Sequence, residues 1–263
     1  MMNLDDVSPL ITLARTTTPF GEITIFRNRE TGAVAYCHGD HYQSEADPAG
    51  ISLAAYVHAL HALVVQTQAH EVLMIGCAGG TLATMLAATG QAVTVVDIDP
   101  EAIRLARQYF ALPPGVECHA SEGQVFLERS PHQFDAIVVD AFAGDSVPAN
   151  LRSPVFFRLA RERLVPGGCL FFNMFVAHDL DADADRVAAL MAEAGFTVRL
   201  LDSPGRTERN VIVMGGAVTG LTSPGILLRP TISADDIVTE LAQMRFRSAR
   251  RRAARADEPA SKG

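Results

Sequence analysis

Short apolar runs alternate with helical patterns along most of this chain. From residue 71 onward, runs of four or five apolar, often β-branched residues predict strands. These strands are predicted over residues 72–75, 92–96, 116–119, 136–139, 169–173, 197–201 and 211–215. Segments with helical periodicity lie between them, over residues 82–88, 100–109, 123–128, 154–163 and 186–194. This alternation predicts an α/β fold with a doubly wound sheet.

Two local signals mark boundaries within that pattern. Asp99-Pro100-Glu101 is a strong helix start, because a capping acid precedes a proline at the first helical position. Pro166-Gly167-Gly168 is expected to end a helix just before the strand at residues 169–173.

The beginning of the chain has a different pattern. Residues 11–14, 22–28 and 33–38 are short β-branched or aromatic segments, separated by turn sequences, and they predict a small antiparallel sheet of hairpins. A helical pattern over residues 52–66 follows. We therefore predict an N-terminal β-hairpin domain over residues 1–48, a Rossmann-like domain over 49–230, and a C-terminal helix with a polar, arginine-rich tail over 231–263.

The composition narrows the class of protein. The chain has 263 residues, 48% of them apolar, which suits a globular protein with a substantial core. We find no signal-peptide pattern and no run of 18 apolar residues, so we expect neither a leader nor a membrane span. The four cysteines form no C-x-x-C pair, which favours reduced thiols in the cytoplasm.

The charge suggests the kind of ligand. A net charge of −8 argues against nucleic acid and suits a cationic ligand. Six arginines cluster between residues 245 and 255 and invite a nucleic-acid interpretation, but a solvated or frayed terminal helix is favoured because the rest of the chain is acidic.

The candidate chemistry begins at a glycine-rich turn. Gly76, Ala78, Gly79 and Gly80 follow the first apolar strand of the alternating region, and Asp97 closes the second. Glycines let the backbone turn sharply and approach a ligand, while an acid about 20 residues downstream can accept hydrogen bonds from ribose hydroxyls. The spacing is closer to the G-x-G-x-G of S-adenosylmethionine sites than to a dinucleotide motif, and a tight turn without a ligand is the alternative.

Two more acids follow predicted strands. Glu122, which precedes Gly123, suits the adenine amino group, because a carboxylate accepts from that donor. Asp140 closes the strand at residues 136–139 and would project over the reactive part of a cofactor, because the carboxyl ends of parallel strands line the ligand crevice. The alternatives are a surface acid for Glu122 and a helix or turn cap for Asp140.

These segments together resemble a known family. The glycine turn, VVDID, SEGQVFL, FDAIVVDAFAGDSVPANL and LVPGG are similar to the spermidine synthase (polyamine aminopropyltransferase) family, and most to its divergent bacterial members. The N-terminal segment TTTPFGEITIFRNRETGAVAYCHGDHYQSE resembles the family's hairpin domain, so the likeness covers roughly residues 15–215. Single motifs are shared with class I methyltransferases, and the resemblance implies that fold.

The resemblance implies a reaction and residue roles. The family moves an aminopropyl group from decarboxylated S-adenosylmethionine to a polyamine and releases methylthioadenosine. By this likeness Asp140 matches the catalytic aspartate, with Asp145 assisting, while Gln43 and Tyr56 match the polyamine-side residues. Asp97 and Glu122 match the ribose-binding and adenine-binding acids, and the turn residues with Gly123 complete the cofactor side.

Departures from the family pattern accompany the likeness. Gly79 stands where the family has an aspartate that holds the cofactor's amino group, and Ala143 stands where it has a second loop aspartate. The family's Tyr-His-Glu is Tyr56-Val57-His58 here, so His58 joins the predicted substrate residues in place of an acid. These losses weaken the case for putrescine as substrate and for the decarboxylated cofactor over intact S-adenosylmethionine.

Three functions therefore stay open. The first is a spermidine synthase-like aminopropyl transfer to a small-molecule amine. The second is S-adenosylmethionine-dependent methylation of a small molecule, and the third is a non-catalytic nucleoside-binding protein. We expect no metal, because His58 and His61 lack further ligands at suitable spacing. A homodimer is expected from the resemblance and from the need to cover the edges of the hairpin domain.

Overall fold

A computed structural model describes residues 9–144 and 146–250. Two predictions lie outside the described residues: the assisting role of Asp145, and the part of the arginine-rich tail at residues 251–263. The described chain forms a four-stranded sheet and an eight-stranded sheet.

The smaller sheet is an antiparallel meander in which each strand pairs with the next along the chain. Its strands are β1 (Leu10–Thr18), β2 (Gly21–Asn28), β3 (Val34–His38) and β4 (His41–Ala46). The sequence analysis predicted three of the four. It missed β4, whose sequence HYQSEA is mostly polar, because this strand is held by its pairing to β3 and leaves several side chains exposed.

The larger sheet has the order β12-β10-β11-β9-β8-β5-β6-β7. Its strands are β5 (Glu71–Ile75), β6 (Ala92–Asp97), β7 (Glu117–Ala120), β8 (Phe134–Val139), β9 (Leu164–Val176), β10 (Val198–Asp202), β11 (Arg209–Gly216) and β12 (Arg245–Arg247). Strands β5 to β9 pair in parallel, and β10, β11 and β12 join in antiparallel fashion. The predicted α/β class is confirmed, with a mixed rather than purely parallel sheet.

Seven α-helices are described beside a short 3-10 helix at Ala149–Arg152. They are α1 (Ala55–Gln66), α2 (Thr81–Ala88), α3 (Pro100–Tyr109), α4 (Gly123–Arg129), α5 (Pro154–Glu162), α6 (Asp183–Glu193) and α7 (Ala234–Leu241). The start of α3 follows the predicted signal, since the side chain of Asp99 accepts a hydrogen bond from the backbone N–H of Glu101. None of the described helices is long and apolar enough to cross a bilayer.

The larger sheet is covered on both faces. Val72 and Met74 of β5 belong to one apolar core, with α1, α2, α3 and α7, whereas Leu73 and Ile75 belong to a second core with α4, α5 and α6. Side chains alternate across a strand, so a continuous apolar run serves two cores at once. The first core also contains residues of β2 and β3, which fastens the smaller sheet to the larger one.

Two local predictions are corrected. Pro166-Gly167-Gly168 does not end a helix but lies inside β9, where the pairing with β8 is interrupted between Phe134 and Ala136. The predicted terminal helix over the arginines is also wrong for its described part, because Arg245–Arg247 forms β12. Arg247 donates to Asp202 and Asp185, both of which are buried. Ion pairs with residues that are distant in sequence therefore hold this segment on the sheet.

The strand order creates a crevice. The chain passes from β5 outward through β6 and β7, and then returns to the other side of β5 with β8 and β9. In doubly wound sheets ligands bind outside the carboxyl ends of the strands where the order reverses. Here that point lies between the ends of β5 and β8, where the backbone N–H of Asp140 donates to the carbonyl of Ile75 at 2.9 Å.

Candidate functional site

A cavity of about 800 Å³ opens at this crevice. The carboxyl ends of β5, β6 and β8 form its floor, and residues of β3, β4 and α1 form the opposite wall. It receives Gly76, Ala78, Asp97, Glu122, Gly123, Asp140, Gln43 and Tyr56 from the predicted site residues. The structure thus brings together segments from residue 43 to residue 140, as the sequence predicted.

The glycine-rich turn joins β5 to α2. Gly76 has φ +98°, and a Cβ there would collide with the backbone oxygen of Asp140, so glycine is required on both conformational and steric grounds. Gly80 also has positive φ, at the start of α2. Gly79 and Gly80 shape the turn without lining the cavity, and the N–H of Gly79 donates to Ser44 Oγ at 3.1 Å. This bond ties β4 to the turn.

Asp97 lies at the end of β6 beside the turn. Its Oδ2 accepts from the N–H of Cys77 at 2.7 Å, and its Oδ1 accepts from the N–H of Asp99 at 2.8 Å. Burial raises the pKa of Asp97, and these backbone hydrogen bonds oppose the rise. A carboxylate has about four lone-pair positions, so Asp97 keeps acceptor capacity beside its backbone hydrogen bonds, which suits a ribose hydroxyl.

Glu122 has a structural task that the sequence analysis did not predict. It caps α4, since its carboxylate accepts from the N–H groups of Gln124 at 2.9 Å and Val125 at 3.0 Å. Asn150 Nδ2 donates to the same carboxylate at 2.6 Å. These three bonds leave about one of roughly four lone-pair positions for a ligand. Gly123 beside it packs against Ile75, where a Cβ would approach to 2.5 Å.

Asp140 lies at the switch point of the sheet and lines the cavity. Its Oδ1 accepts from Asn173 Nδ2 at 2.8 Å, and its Oδ2 accepts a longer bond of 3.5 Å from the hydroxyl of Tyr56. Burial raises the pKa of Asp140 above its ordinary value, whereas the two hydrogen bonds oppose that rise. Burial and the charge of Asp140 raise the pKa of Tyr56, so this phenol remains a donor.

Two asparagines next to Asp140 were missed. Asn173 is fully buried, and its Oδ1 accepts from Asn210 Nδ2 at 3.1 Å. Asn210 in turn lines the cavity. The sequence could have predicted Asn173 as a site residue, because it ends the predicted strand at residues 169–173 and so lies at the same sheet edge as Asp140. Asn210 had no such signal, since it lies on an antiparallel strand.

The wall opposite the sheet is contributed largely by β4. Gln43 lines the cavity, together with Ser44 and Glu45. Partial burial raises the pKa of Glu45. This wall carries acid and amide groups that an amine could contact.

His58 does not line the cavity. It lies in α1 with no exposed surface, and its Nε2 is 2.7 Å from the carbonyl oxygen of Ser52. His61 is buried one turn further along and contacts Thr89 Oγ1 at 2.9 Å. Burial lowers the pKa of His58 and lowers that of His61 to about 4, so both are neutral core residues. This placement does not support the predicted substrate contact of His58.

The charge of the cavity is one-sided. Its acidic residues are Asp40, Glu45, Asp97, Asp99, Glu122 and Asp140. Within residues 9–144 and 146–250, no lysine or arginine lines it. Over the same ranges, no group of three or more histidine, cysteine or acidic side chains is arranged to hold a metal ion. The cavity therefore presents six carboxylates, with His38 and His41 but no described lysine or arginine beside them.

Comparisons with known proteins agree with this geometry. A family model described as "Methyltransferase domain" matches residues 72–168. A probable polyamine aminopropyl transferase of Bifidobacterium longum is 30% identical over 169 residues, which are 62% of this chain and 37% of that protein. A polyamine aminopropyltransferase of Neisseria meningitidis is 31% identical over 151 residues, 55% of each chain.

The likeness of fold extends further than the likeness of sequence. The crystal structure of a probable spermidine synthase from Corynebacterium glutamicum superposes with a TM-score of 0.74, at 22% identity, over 90% of each chain. This chain has a class I methyltransferase-like fold, and part of its sequence is similar to polyamine aminopropyltransferases.

The likeness has a limit. The chain spans 37% and 55% of the lengths of the two curated relatives, so the match by itself does not transfer their activity. The segment that the methyltransferase domain model matches, residues 72–168, includes Asp97, Glu122 and Asp140. Asn173, Asn210 and the residues of β4 lie outside it.

Proposed function

We propose that this chain is a transferase that moves an aminopropyl group from decarboxylated S-adenosylmethionine to an amine and releases methylthioadenosine. The one-sided charge of the cavity carries this proposal. Both reactants are cations, a sulfonium and an ammonium, and the described lining residues include six carboxylates and no lysine or arginine. A cleft lined by one sign of charge concentrates ligands of the opposite sign.

The cofactor side suits an adenosyl group. Asp97 retains acceptor capacity for a ribose hydroxyl, and Glu122 retains about one lone pair for the adenine amino group. Gly76 lets the turn lie directly against the backbone of Asp140, and the sulfonium end would lie beside these two residues. Intact S-adenosylmethionine would bring a carboxylate into this acidic cavity, whose described lining has no lysine or arginine to pair with it. The decarboxylated form avoids that cost, which favours it despite the absence of an acid in the turn.

The amine side suits Asp140 as the group that holds the amine and accepts its proton. An ammonium has no lone pair, and a free amine has a reference pKa of about 10, so a proton must leave before attack. Burial raises the pKa of Asp140, which makes it a stronger proton acceptor than an exposed aspartate. The amine nitrogen then forms a bond to the methylene carbon next to sulfur, the carbon–sulfur bond breaks, and its electron pair stays on a neutral thioether.

Methylation of a small molecule is the second candidate. The observation that favours it is the turn itself, in which Ala78 and Gly79 present no acid to a cofactor ammonium. A matched methyltransferase domain model is compatible with it. The two reactions differ in which carbon next to the sulfonium is attacked, and so in the nucleoside that is released.

Mass spectrometry of nucleoside products separates these functions. Purified protein is mixed with a panel of amines and with either decarboxylated or intact S-adenosylmethionine. Amine-dependent methylthioadenosine, lost in Asp140→Asn, is the expected result. S-adenosylhomocysteine instead would favour the methyltransferase. Cofactor binding without any product would favour the non-catalytic nucleoside-binding protein.

Asp135→Asn is the matched control for Asp140→Asn. Asp135 lies at the beginning of β8, whereas Asp140 follows its end, and it accepts from the N–H groups of His70 and Glu71 far from the cavity lining. Asparagine keeps one acceptor oxygen there, so turnover is expected to stay close to wild type. A similar loss in both variants would assign the effect to β8 rather than to the Asp140 carboxylate.

We also propose a homodimer. β1 and β4 are the two edges of the smaller sheet, and unpaired strand edges need to be covered. Light scattering after size-exclusion chromatography measures the mass. A value near 28.2 kDa would contradict a dimer, and twice that mass would support it.

A further inference from the structure

Three side chains form a continuous hydrogen-bonded series that ends at Asp140. Asn210 Nδ2 donates to Asn173 Oδ1 at 3.1 Å, and Asn173 Nδ2 donates to Asp140 Oδ1 at 2.8 Å. Asn173 pairs with Ile212 between β9 and β11, so Asn210 lies diagonally across from it on the same sheet face. The series therefore connects the cavity at Asn210 with the cavity at Asp140 through one buried amide.

The direction of this series follows from the charge at its end. An ionised carboxylate only accepts hydrogen bonds, so the amide nitrogen of Asn173 must face Asp140. The oxygen of Asn173 then faces Asn210, which can satisfy it only with its own amide nitrogen. Outside this series the Asn210 side chain keeps its Oδ1, which is an acceptor, and the second N–H of its Nδ2. Ionised Asp140 thus dictates an order in which Asn210 Oδ1 accepts from neither neighbour in the series and is available to a ligand.

We propose that Asn210 binds the acceptor amine, with its Oδ1 serving as a second, neutral acceptor for the nitrogen that Asp140 holds. A primary ammonium has three N–H donors, and one carboxylate does not satisfy all of them in a half-buried cavity. Asp140 Oδ2 and Asn210 Oδ1 together supply acceptors from two different strands. This inference rests on the proposed function and names the group that would recognise a primary amine.

The surroundings make Asn210 a rigid contact. Its neighbour Arg209 is 6% exposed and donates to the fully buried carboxylate of Asp202 at 2.7 Å, which anchors this end of β11. Phe175, the cross-strand partner of Asn210, also lines the cavity. The amide oxygen of Asn210 can accept from an ammonium group, and the ring of Phe175 can contact the apolar carbon chain that carries it. Because the Asn210 side chain is already held in place, little conformational entropy is lost when the amine binds.

Asn210→Ala tests the inference, with Asn150→Ala as the matched control. Both asparagines line the cavity, but Asn150 donates to Glu122 on the cofactor side. Asn210→Ala is expected to raise the KM for the amine about tenfold, because a hydrogen bond to a charged group is lost, and to leave the cofactor KM unchanged. Asn150→Ala should raise the cofactor KM and leave the amine KM unchanged. The amines are putrescine, cadaverine, spermidine and phenethylamine.

Calorimetry supplies a readout that does not depend on turnover. Amine binding is measured with protein saturated with methylthioadenosine, whose binding also shows that each variant is folded. If Asn210→Ala does not fold, Asn210→Val replaces it, because a β-branched residue suits a strand.

The outcomes distinguish the two proposals. Wild-type transfer with an unchanged amine KM in Asn210→Ala overturns this inference and leaves the proposed function standing. Absence of transfer, with amine binding that weakens about tenfold in Asn210→Ala, rejects aminopropyl transfer and supports Asn210 as the amine contact. No amine binding by the wild type overturns both.

Discussion

The α-carbon of Gly76 lies against the backbone of Asp140, so closely that a methyl group would overlap the carbonyl oxygen of Asp140. Gly76 follows β5 and begins the cofactor turn, and Asp140, the proposed base, follows the adjacent strand β8. The two halves of the proposed reaction therefore meet through a backbone contact. Displacing either residue displaces the other.

Gly76→Ala is expected to abolish most of the activity. The added methyl group must push Asp140 away, and a shift of about 1 Å at a reacting group can lower a rate about a hundredfold. Gly90→Ala is the matched control, because Gly90 has a similar φ of +95° and nothing within 4 Å of its Cβ position. Both variants should lose stability from the positive φ, and only Gly76→Ala should lose turnover at a temperature where both are folded. Equal turnover by Gly76→Ala and Gly90→Ala would show that the contact between Gly76 and Asp140 does not matter for activity.

Asp97→Asn is expected to weaken the binding of methylthioadenosine. The amide nitrogen that replaces one oxygen cannot accept from a ribose hydroxyl or from a backbone N–H, so the Kd measured by calorimetry should rise about tenfold. Asp99→Asn is the comparison, since asparagine caps α3 nearly as well as aspartate. If both variants weaken binding equally, general negative charge and not a specific ribose contact explains the effect of Asp97.

The pH dependence of kcat/KM should report the hydrogen bonds to Asp140. Asn173 and Tyr56 both favour the ionised form, which lowers the pKa of Asp140 against the effect of burial. Removing either donor therefore raises that pKa, so the acidic limb of the profile moves to higher pH in Asn173→Leu and in Tyr56→Phe. The larger shift is expected for Asn173→Leu, because its bond is 2.8 Å against 3.5 Å for Tyr56. A shift to lower pH would contradict Asp140 as the proton acceptor.

Asp202→Asn is expected to destabilise the fold by about 3 kcal/mol, because it removes the buried carboxylate that two arginines share and leaves each of them with one acidic partner, Asp179 or Asp185. Asp202 is 1% exposed and accepts from Arg209 and Arg247, each at 2.7 Å. Burial alone would raise the pKa of Asp202, but the two arginines lower it overall. Its contribution is therefore present above the ordinary aspartate pKa of about 3.9 and is lost as the pH falls through the lower folded pKa.

Urea unfolding at several pH values measures this contribution. The difference between wild type and Asp202→Asn should shrink as the pH falls below about 4. Asp235→Asn is the control, because Asp235 pairs with Arg229 on an exposed surface and such pairs contribute little. A constant difference at every pH would mean that packing, and not charge, accounts for the role of Asp202.

Local patterns predicted much of the cofactor side. The helix over residues 100–109 matches α3 in both bounds, because capping by Asp99 and proline at the first helical position act within one turn of chain. Asp97 and Asp140 lie at strand ends as predicted, since a run of apolar residues determines where a buried strand ends. These features depend on near neighbours, which are visible in the sequence.

Other features of the structure depend on contacts between segments that are distant in sequence, and local patterns did not predict them. Polar β4 is a strand because it pairs with β3, and His58 is a core residue because the packing around α1 buries it. Arg247 lies on the sheet because Asp202, 45 residues away, is buried beneath it.

By itself the sequence determined the α/β class, the glycine turn and the acids that follow the strands, because these depend on periodicity and on residue type. Only the tertiary structure decided that Asn210 and Asn173 form a hydrogen-bonded series with Asp140. The two bonds span 37 and 33 residues of the chain. The first forms only when β9 and β11 pair at this register, and the second only when β8 and β9 lie side by side.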